Sequence, residues 1–297
     1  MNIIEKLPVP ISGLILAILS LGNLLQGYPR LICGVVGVIL MAMLLLRVII
    51  YPRDVSHDLS NPIILSNSGT FSMALMILST YINPFNADLA LGVWILGVAL
   101  HILLIVWFTY RFIICDFDIM TVYPSYWIVF IGITMGAITA HVHGLTEIAY
   151  LFFVFGFIMM LITLPLVVYR YVRYPNILDQ NKPLICIFTA VMSILIVGYT
   201  NSFNALSYEF LMVLYTVAFV FFLFAFYKFI EYRNLDFYPS FSAFTFPFVI
   251  TAVASKEVFA INQWSFFNVI IPIQTFIALV LVIYVFVRYF RFLLDAL

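Results

Sequence analysis

Apolar residues in this chain neither alternate nor recur along one face; they run in long stretches broken by short polar punctuation. A helix needs about 20 apolar residues to cross the hydrocarbon core of a bilayer. Stretches of that kind follow one another from Pro8 to Arg291 and predict ten spans, at 8–25, 31–51, 65–82, 89–111, 125–140, 146–171, 184–199, 207–228, 241–255 and 266–290. They leave no room for a separate soluble domain, so residues 1–297 read as a single transmembrane domain. The first stretch lacks a small-x-small cleavage site and leads straight into the second, which makes it the first helix of the mature protein and not a signal peptide.

The odd-numbered spans share a feature that the even ones lack, a proline at or just before the start: Pro8, Pro62, Pro124, Pro183 and Pro239, at intervals of 54, 62, 59 and 56 residues. Local wording repeats as well. Tyr123-Pro124-Ser125-Tyr126 opens the fifth span and Tyr238-Pro239-Ser240-Phe241 the ninth, while Tyr81-Ile82-Asn83-Pro84-Phe85 closes the third and Tyr199-Thr200-Asn201-Ser202-Phe203 the seventh. Proline favours the first turn of any helix, but spacing and wording together predict five repeats, at approximately 1–54, 55–116, 117–176, 177–234 and 235–297. Each repeat holds two spans, so all five have the same orientation. The predicted fold class is an all-α polytopic membrane protein, ten transmembrane helices arranged as five like-oriented helical hairpins around a central pore.

The two helix classes differ in polarity. The third span carries Ser66, Asn67, Ser68, Thr70, Ser72, Ser79 and Thr80, and the ninth Ser242, Thr245, Thr251 and Ser255; the second has no Ser, Thr or Asn. Odd spans after the first run about 15 to 18 residues and even ones about 21 to 26, against about 20 needed to cross. Short, kinkable, hydroxyl-bearing helices belong inside and long apolar ones face lipid, although Ser and Thr also serve simply to pack helices together. Breaks that would expose backbone N–H groups to a permeant are expected at Gly13, Gly69, Gly132, Gly136, Gly198 and Pro247. Glycine in membrane helices equally permits close packing.

Composition and charge sharpen this picture. Only 9% of residues are charged and 65% are hydrophobic, with a mean hydropathy of +1.18; a soluble surface needs roughly a quarter charged. Of 13 basic residues, all but Arg30 and Lys256 fall on the side of the termini, which the positive-inside rule makes cytoplasmic. Every Asp and Glu lies near a span end or in a loop. Proton- and sodium-coupled transporters usually hold an ionisable group in the membrane, so a passive conduit is expected. The odd helices would present their positive N-terminal dipole ends to the cytoplasmic mouth, near Lys6, Arg53, Arg111, Lys182 and Arg233, which favours small anions. The cysteines Cys33, Cys115 and Cys186 suggest neither a disulfide framework nor a metal site. His141, His143 and Glu147 read as interfacial loop residues, and His101 as a packing or subunit contact. No Ser/His/Asp, paired-carboxylate or HExxH arrangement speaks for an enzyme, no cofactor is implied, and zero net charge gives no sign of a nucleic-acid partner.

The opening Leu7-Pro8-Val9-Pro10-Ile11-Ser12-Gly13, the stretch Ser72-Met73-Ala74-Leu75-Met76 and above all Ser242-Ala243-Phe244-Thr245-Phe246-Pro247 resemble the tellurite-resistance/dicarboxylate transporter (TDT) family, which includes bacterial TehA and the plant guard-cell slow anion channels. The resemblance implies five hairpins round a central pore, a homotrimer in the cell (cytoplasmic) membrane in contact with lipid, and a ninth-helix phenylalanine lying across the pore as a plug. That phenylalanine is Phe246, or Phe244 by the alternative register, flanked by Thr245 and Pro247. The family name also covers proton-coupled carriage of C4-dicarboxylates such as malate, and tellurite, which stand as the alternative to an anion channel.

Overall fold

The computed structural model describes residues 3–295. The polypeptide is mostly helical, without a strand among those residues, and helical segments follow in order as α1 (Ile11–Leu25), α2 (Gly27–Ile50), α3 (Pro62–Ile82), α4 (Ala87–Phe108), α5 in two pieces (Tyr126–Phe130 and Thr134–Ala140), α6 (Thr146–Arg173), α7 (Phe188–Ser202), α8 (Tyr208–Tyr232), α9 (Phe246–Asn262) and α10 (Ser265–Asp295). A π-helical stretch, Thr109–Cys115, extends α4, and 3-10 stretches lead into α7 (Asp179–Ile187) and α9 (Pro239–Phe244). With these extensions, eight of the segments are long and apolar enough to cross a membrane. The other two, α1 and α5, are shorter.

Local chemistry sets the boundaries. The Asn61 side chain accepts from the N–H groups of Ile63 and Ile64, at 2.8 and 3.3 Å, with Pro62 at the first helical position of α3. Asn86 and Ser207 cap α4 and α8 in the same way. The α1–α2 turn is short because Gln26 and Gly27 take φ of 62° and 56°, a left-handed geometry that glycine adopts at little cost. The α5 helix breaks at Ile131–Ile133, where the N–H of Gly132 reaches back to Trp127 O.

Packing sorts the segments into two layers. The α1 helix packs on α3, α3 on both pieces of α5, the second piece of α5 on α7, α7 on α9, and α9 back on α1, which closes an inner ring. Each inner helix also packs on the even helix that follows it. In the most apolar stretch of each span, 94% of residues are buried for Asp179–Ser202 and 67% for Pro62–Ile82 and Pro239–Asn262, against 22–33% for the even helices. Thirteen residues of α1 are buried. The even helices therefore form an outer shell whose free faces are apolar, as at Ile32, Leu103, Leu161 and Phe276.

The odd helices are not shorter than the even ones to the degree the sequence suggests. With its 3-10 lead, the α7 span covers 24 residues, and so does that of α9. Asp179–Lys182 and Pro239–Ser240 interrupt the hydropathy but not the helical course, since several of these residues border an internal cavity and not lipid. Most inner hydroxyls join helices to one another. Ser66 donates to Ser125 at 2.7 Å, Ser12 meets Thr70 at 2.7 Å, and Thr251 meets Thr189 and Ser193 at 2.9 and 3.0 Å. Such pairs satisfy buried polar groups where no water can.

Candidate functional site

The inner ring encloses three spaces in series. The central one, about 40 Å³, is bordered by all five inner spans: Gly13 from α1, Asn67, Thr70 and Met73 from α3, Trp127, Ile128 and Ile131 from α5, Ile187 to Ile194 from the α7 span, and Ser242, Ala243, Phe246 and Pro247 from the α9 span. At about 30 Å³ per liquid water, it has room for roughly one molecule. No charged side chain borders it among the described residues.

A vestibule of about 400 Å³ adjoins it at Asn67, which borders both spaces. The beginnings of the α1, α3, α7 and α9 spans surround it through Pro8–Pro10, Asn61–Ile64, Gln180–Asn181 and Tyr238–Ser240, so four helix N-termini open toward it. Their dipoles favour negative charge there. Beyond the central space lies a second vestibule of about 360 Å³, bordered by Ile77, Met135 and Ile250, which follow the waist residues Met73, Ile131 and Phe246 along their spans. The axis of the ring is an hourglass: polar and roomy at both ends, apolar and closed at the waist.

Of the residues expected at the site, Gly13, Phe246 and Pro247 border the waist. A Cβ on Gly13 would sit 3.0 Å from the Cβ of Ser242, so this glycine also lets α1 approach the α9 span closely. Thr245 marks a true helix break, with φ −109° and ψ −84°, and its hydroxyl donates to Ser242 O at 2.6 Å. It stands behind the waist and does not border it.

The remaining expectations need correction. Phe244 turns outward, its ring edge-on to Phe229 of α8 at 5.2 Å and against Phe241 at 5.1 Å. Phe246, one residue past the break, faces the waist and stacks on no aromatic ring among the described residues. Gly69, Gly136 and Gly198 lie within continuous helix and face neighbouring helices: Gly69 meets Leu104 and Ile128, Gly136 meets Phe152 and Val98, and Gly198 meets Thr134. Gly132 does fall at the break in α5, but against His101 and Met73 and away from the waist. Each supplies a close helix contact, the ordinary use of glycine in membrane bundles. Among the basic residues expected at the mouth, Lys6 alone borders the vestibule, joined by Arg47; Arg111 and Lys182 pair with Asp116 and Asp179 instead.

Sequence reasoning did not place Met73, Trp127, Ile131 or Ile194 at the waist. On inner helices that are buried on nearly every side, periodicity carries no mark of which side faces the axis. His101 and His143 are structural. His101 is fully buried in α4, with Nδ1 2.7 Å from Ser72 Oγ and Nε2 3.0 Å from Val129 O; a neutral ring protonated on Nε2 satisfies both. Its carbonyl partner lies in the first piece of α5, one turn before the second piece begins, so the ring braces the break. His143 Nε2 lies 2.9 Å from Ser79 Oγ, against the ring of Trp94.

A family model described as voltage-dependent anion channel (SLAC1) matches residues 9–290, and the chain belongs to that family. No curated protein matches it. Membership makes the protein a multi-pass membrane protein and an anion channel or transporter.

Proposed function

We propose that this member of the voltage-dependent anion channel family conducts small anions passively along the axis of its inner ring, with Phe246 as the plug at the waist. The observation that carries the reading is the waist itself: a space of about 40 Å³ bordered by all five inner spans, without a charged side chain, between two vestibules of about 400 and 360 Å³. A hydrophobic constriction blocks an ion by excluding water. An aromatic ring that swings aside reopens the path, and its positive edge can still meet an anion. The N-termini at the larger vestibule supply attraction without a tight site, as fast passage requires. No carboxylate or histidine borders the waist among the described residues, which speaks against proton coupling there.

The reading includes ten membrane crossings in five hairpin repeats, with α1 and α5 as the two short crossings. The distribution of basic residues supports both termini on the cytoplasmic side, and the family resemblance supports the cytoplasmic membrane as location. A homotrimer follows from the family resemblance, and the apolar outer faces of the even helices leave surface for it.

The test is electrical. Purified protein in planar bilayers should pass a current that reverses at the anion equilibrium potential, shifts with chloride, nitrate or malate substitution, and does not depend on a pH gradient. Electroneutral uptake into proteoliposomes driven by a proton gradient, without such current, would replace the conduit with the coupled carrier.

A further inference from the structure

Arg170 stands in the last turn of α6 and is 1% exposed. Its Nη1 donates to Tyr174 O at 2.5 Å and its Nη2 to the hydroxyl of Tyr123 at 3.1 Å, while Nε has no partner. The guanidinium lies over the rings of Tyr123 and Tyr171, at 4.7 and 5.5 Å. No carboxylate pairs with it among the described residues; the ion pairs there belong to Arg47, Arg111, Lys182 and Lys228. A guanidinium in a protein stays charged, so Arg170 is a buried fixed cation without a counter-ion.

The first hairpin holds its counterpart. Arg47-Val48-Ile49-Ile50-Tyr51-Pro52 at the end of α2 matches Arg170-Tyr171-Val172-Arg173-Tyr174-Pro175 at the end of α6, and in both the tyrosine N–H bonds to the arginine carbonyl. Arg47 is neutralised by Asp58 at 2.7 Å. Arg170, in the equivalent place, is not.

Hydrogen bonds connect it to the vestibule wall. The Tyr123 hydroxyl that accepts from Arg170 also accepts from Asn181 Nδ2, at 3.2 Å, and Asn181 borders the larger vestibule. The charges that border this vestibule directly, Lys6 and Arg47 against Glu5 and Asp58, cancel. Arg170 therefore adds a full, uncancelled positive charge to the partial charges of the four helix N-termini.

We propose that Arg170 is the charge-selecting residue of the conduit, a cation two hydrogen bonds behind the vestibule wall that concentrates anions and repels cations without touching either. The inference rests on the reading of the axis as an anion path. The experiment uses purified, reconstituted protein in a Phe246→Ala background, with the anion-over-cation permeability ratio taken from reversal potentials in a KCl gradient. Arg170→Gln should lower that ratio roughly fifteen- to 250-fold, since one charge acting over roughly 10 Å at an effective dielectric of about 40 to 20 favours the anion about four- to sixteenfold and disfavours the cation by as much. The loss should be large in about 10 mM salt and nearly vanish at about 1 M, as the screening length falls from about 30 to about 3 Å. Arg170→Lys should keep the ratio. Arg170→Met, an apolar side chain of similar length, should lower it in the same salt-dependent way and decides the matter if Arg170→Gln does not fold. A folded Arg170→Gln or Arg170→Met with unchanged reversal potential at low salt overturns the inference. A parent without anion current overturns the conduit reading and this inference with it.

Discussion

Replacing Phe246 by alanine separates a plug from a packing residue. The wild-type waist holds about 40 Å³; deleting the ring adds space on the order of 100 Å³, enough for about three more waters at ~30 Å³ each. That hydrates the apolar waist. An ion that keeps its water there avoids a desolvation cost of several kcal/mol, and relief of about 1.4 to 2.8 kcal/mol of it raises current about ten- to a hundredfold. A fully packed Phe→Ala change costs about 3–5 kcal/mol of stability. Phe246 already borders a void and stacks on no ring, so its loss should cost about 1–3 kcal/mol. Phe244→Ala is the matched control: fully buried and in two ring contacts, it should lose about 3–5 kcal/mol and gain no current per folded channel. Single-channel recording from purified protein reads current free of expression level, and a thermal melt in detergent reads stability. Equal currents for wild type and Phe246→Ala, or a rise in Phe244→Ala instead, would refute the reasoning.

Three further outcomes are expected. Thr134 is wedged between Gly156 of α6, which faces its hydroxyl, and Gly198 of α7, which faces its methyl. Alanine at either glycine should destabilise by about 1–3 kcal/mol, and Thr134→Ser should rescue Gly198→Ala but not Gly156→Ala, as a double-mutant cycle of melting temperatures would read. His101→Leu leaves Val129 O without its ring partner and should cost about 1–3 kcal/mol, yet leave the pH profile of conduction unchanged because His101 does not border the waist. His143, in the turn between α5 and α6, has its pKa lowered by burial and then by neighbouring His141. The folded state thus binds its proton less readily than the unfolded state, so stability should be full above the unfolded value near 6.5 and fall as pH drops below it. The melting temperature should fall between pH 7.5 and 5.5 in wild type, and less so in His143→Gln.

The placing of spans by hydropathy alone was close for α3 and α6, whose apolar runs end in clear punctuation, and too short for α7 and α9. There the polar residues Asp179–Lys182 and Pro239–Ser240 look like loop, because hydropathy records what a residue avoids and not whether water reaches it through an internal vestibule. The extra short helices Ile3–Lys6 and Pro52–Asp58 were likewise invisible to a measure tuned to long apolar runs.

The linear chain by itself determined the membrane, because 65% hydrophobic residues in successive long runs admit no aqueous surface, and it separated inner from outer helices, because hydroxyls cannot face lipid unpaired. Only the tertiary structure decided which face of each inner helix borders the axis. Phe244 and Phe246 are two residues apart in one motif, yet the backbone turn at Thr245 sends one ring to α8 and the other to the waist. Gly69 and Gly13 looked alike in the sequence, but one meets Leu104 of an outer helix and the other Ser242 of the neighbouring inner span. Hydrogen bonds connect Arg170 to the vestibule wall through Tyr123 and Asn181, which lie 47 and 58 positions from their hydrogen-bond partners. Apolar periodicity vanishes when a helix is buried on every side, and what remains to mark a lumen is the meeting of side chains from distant parts of the chain.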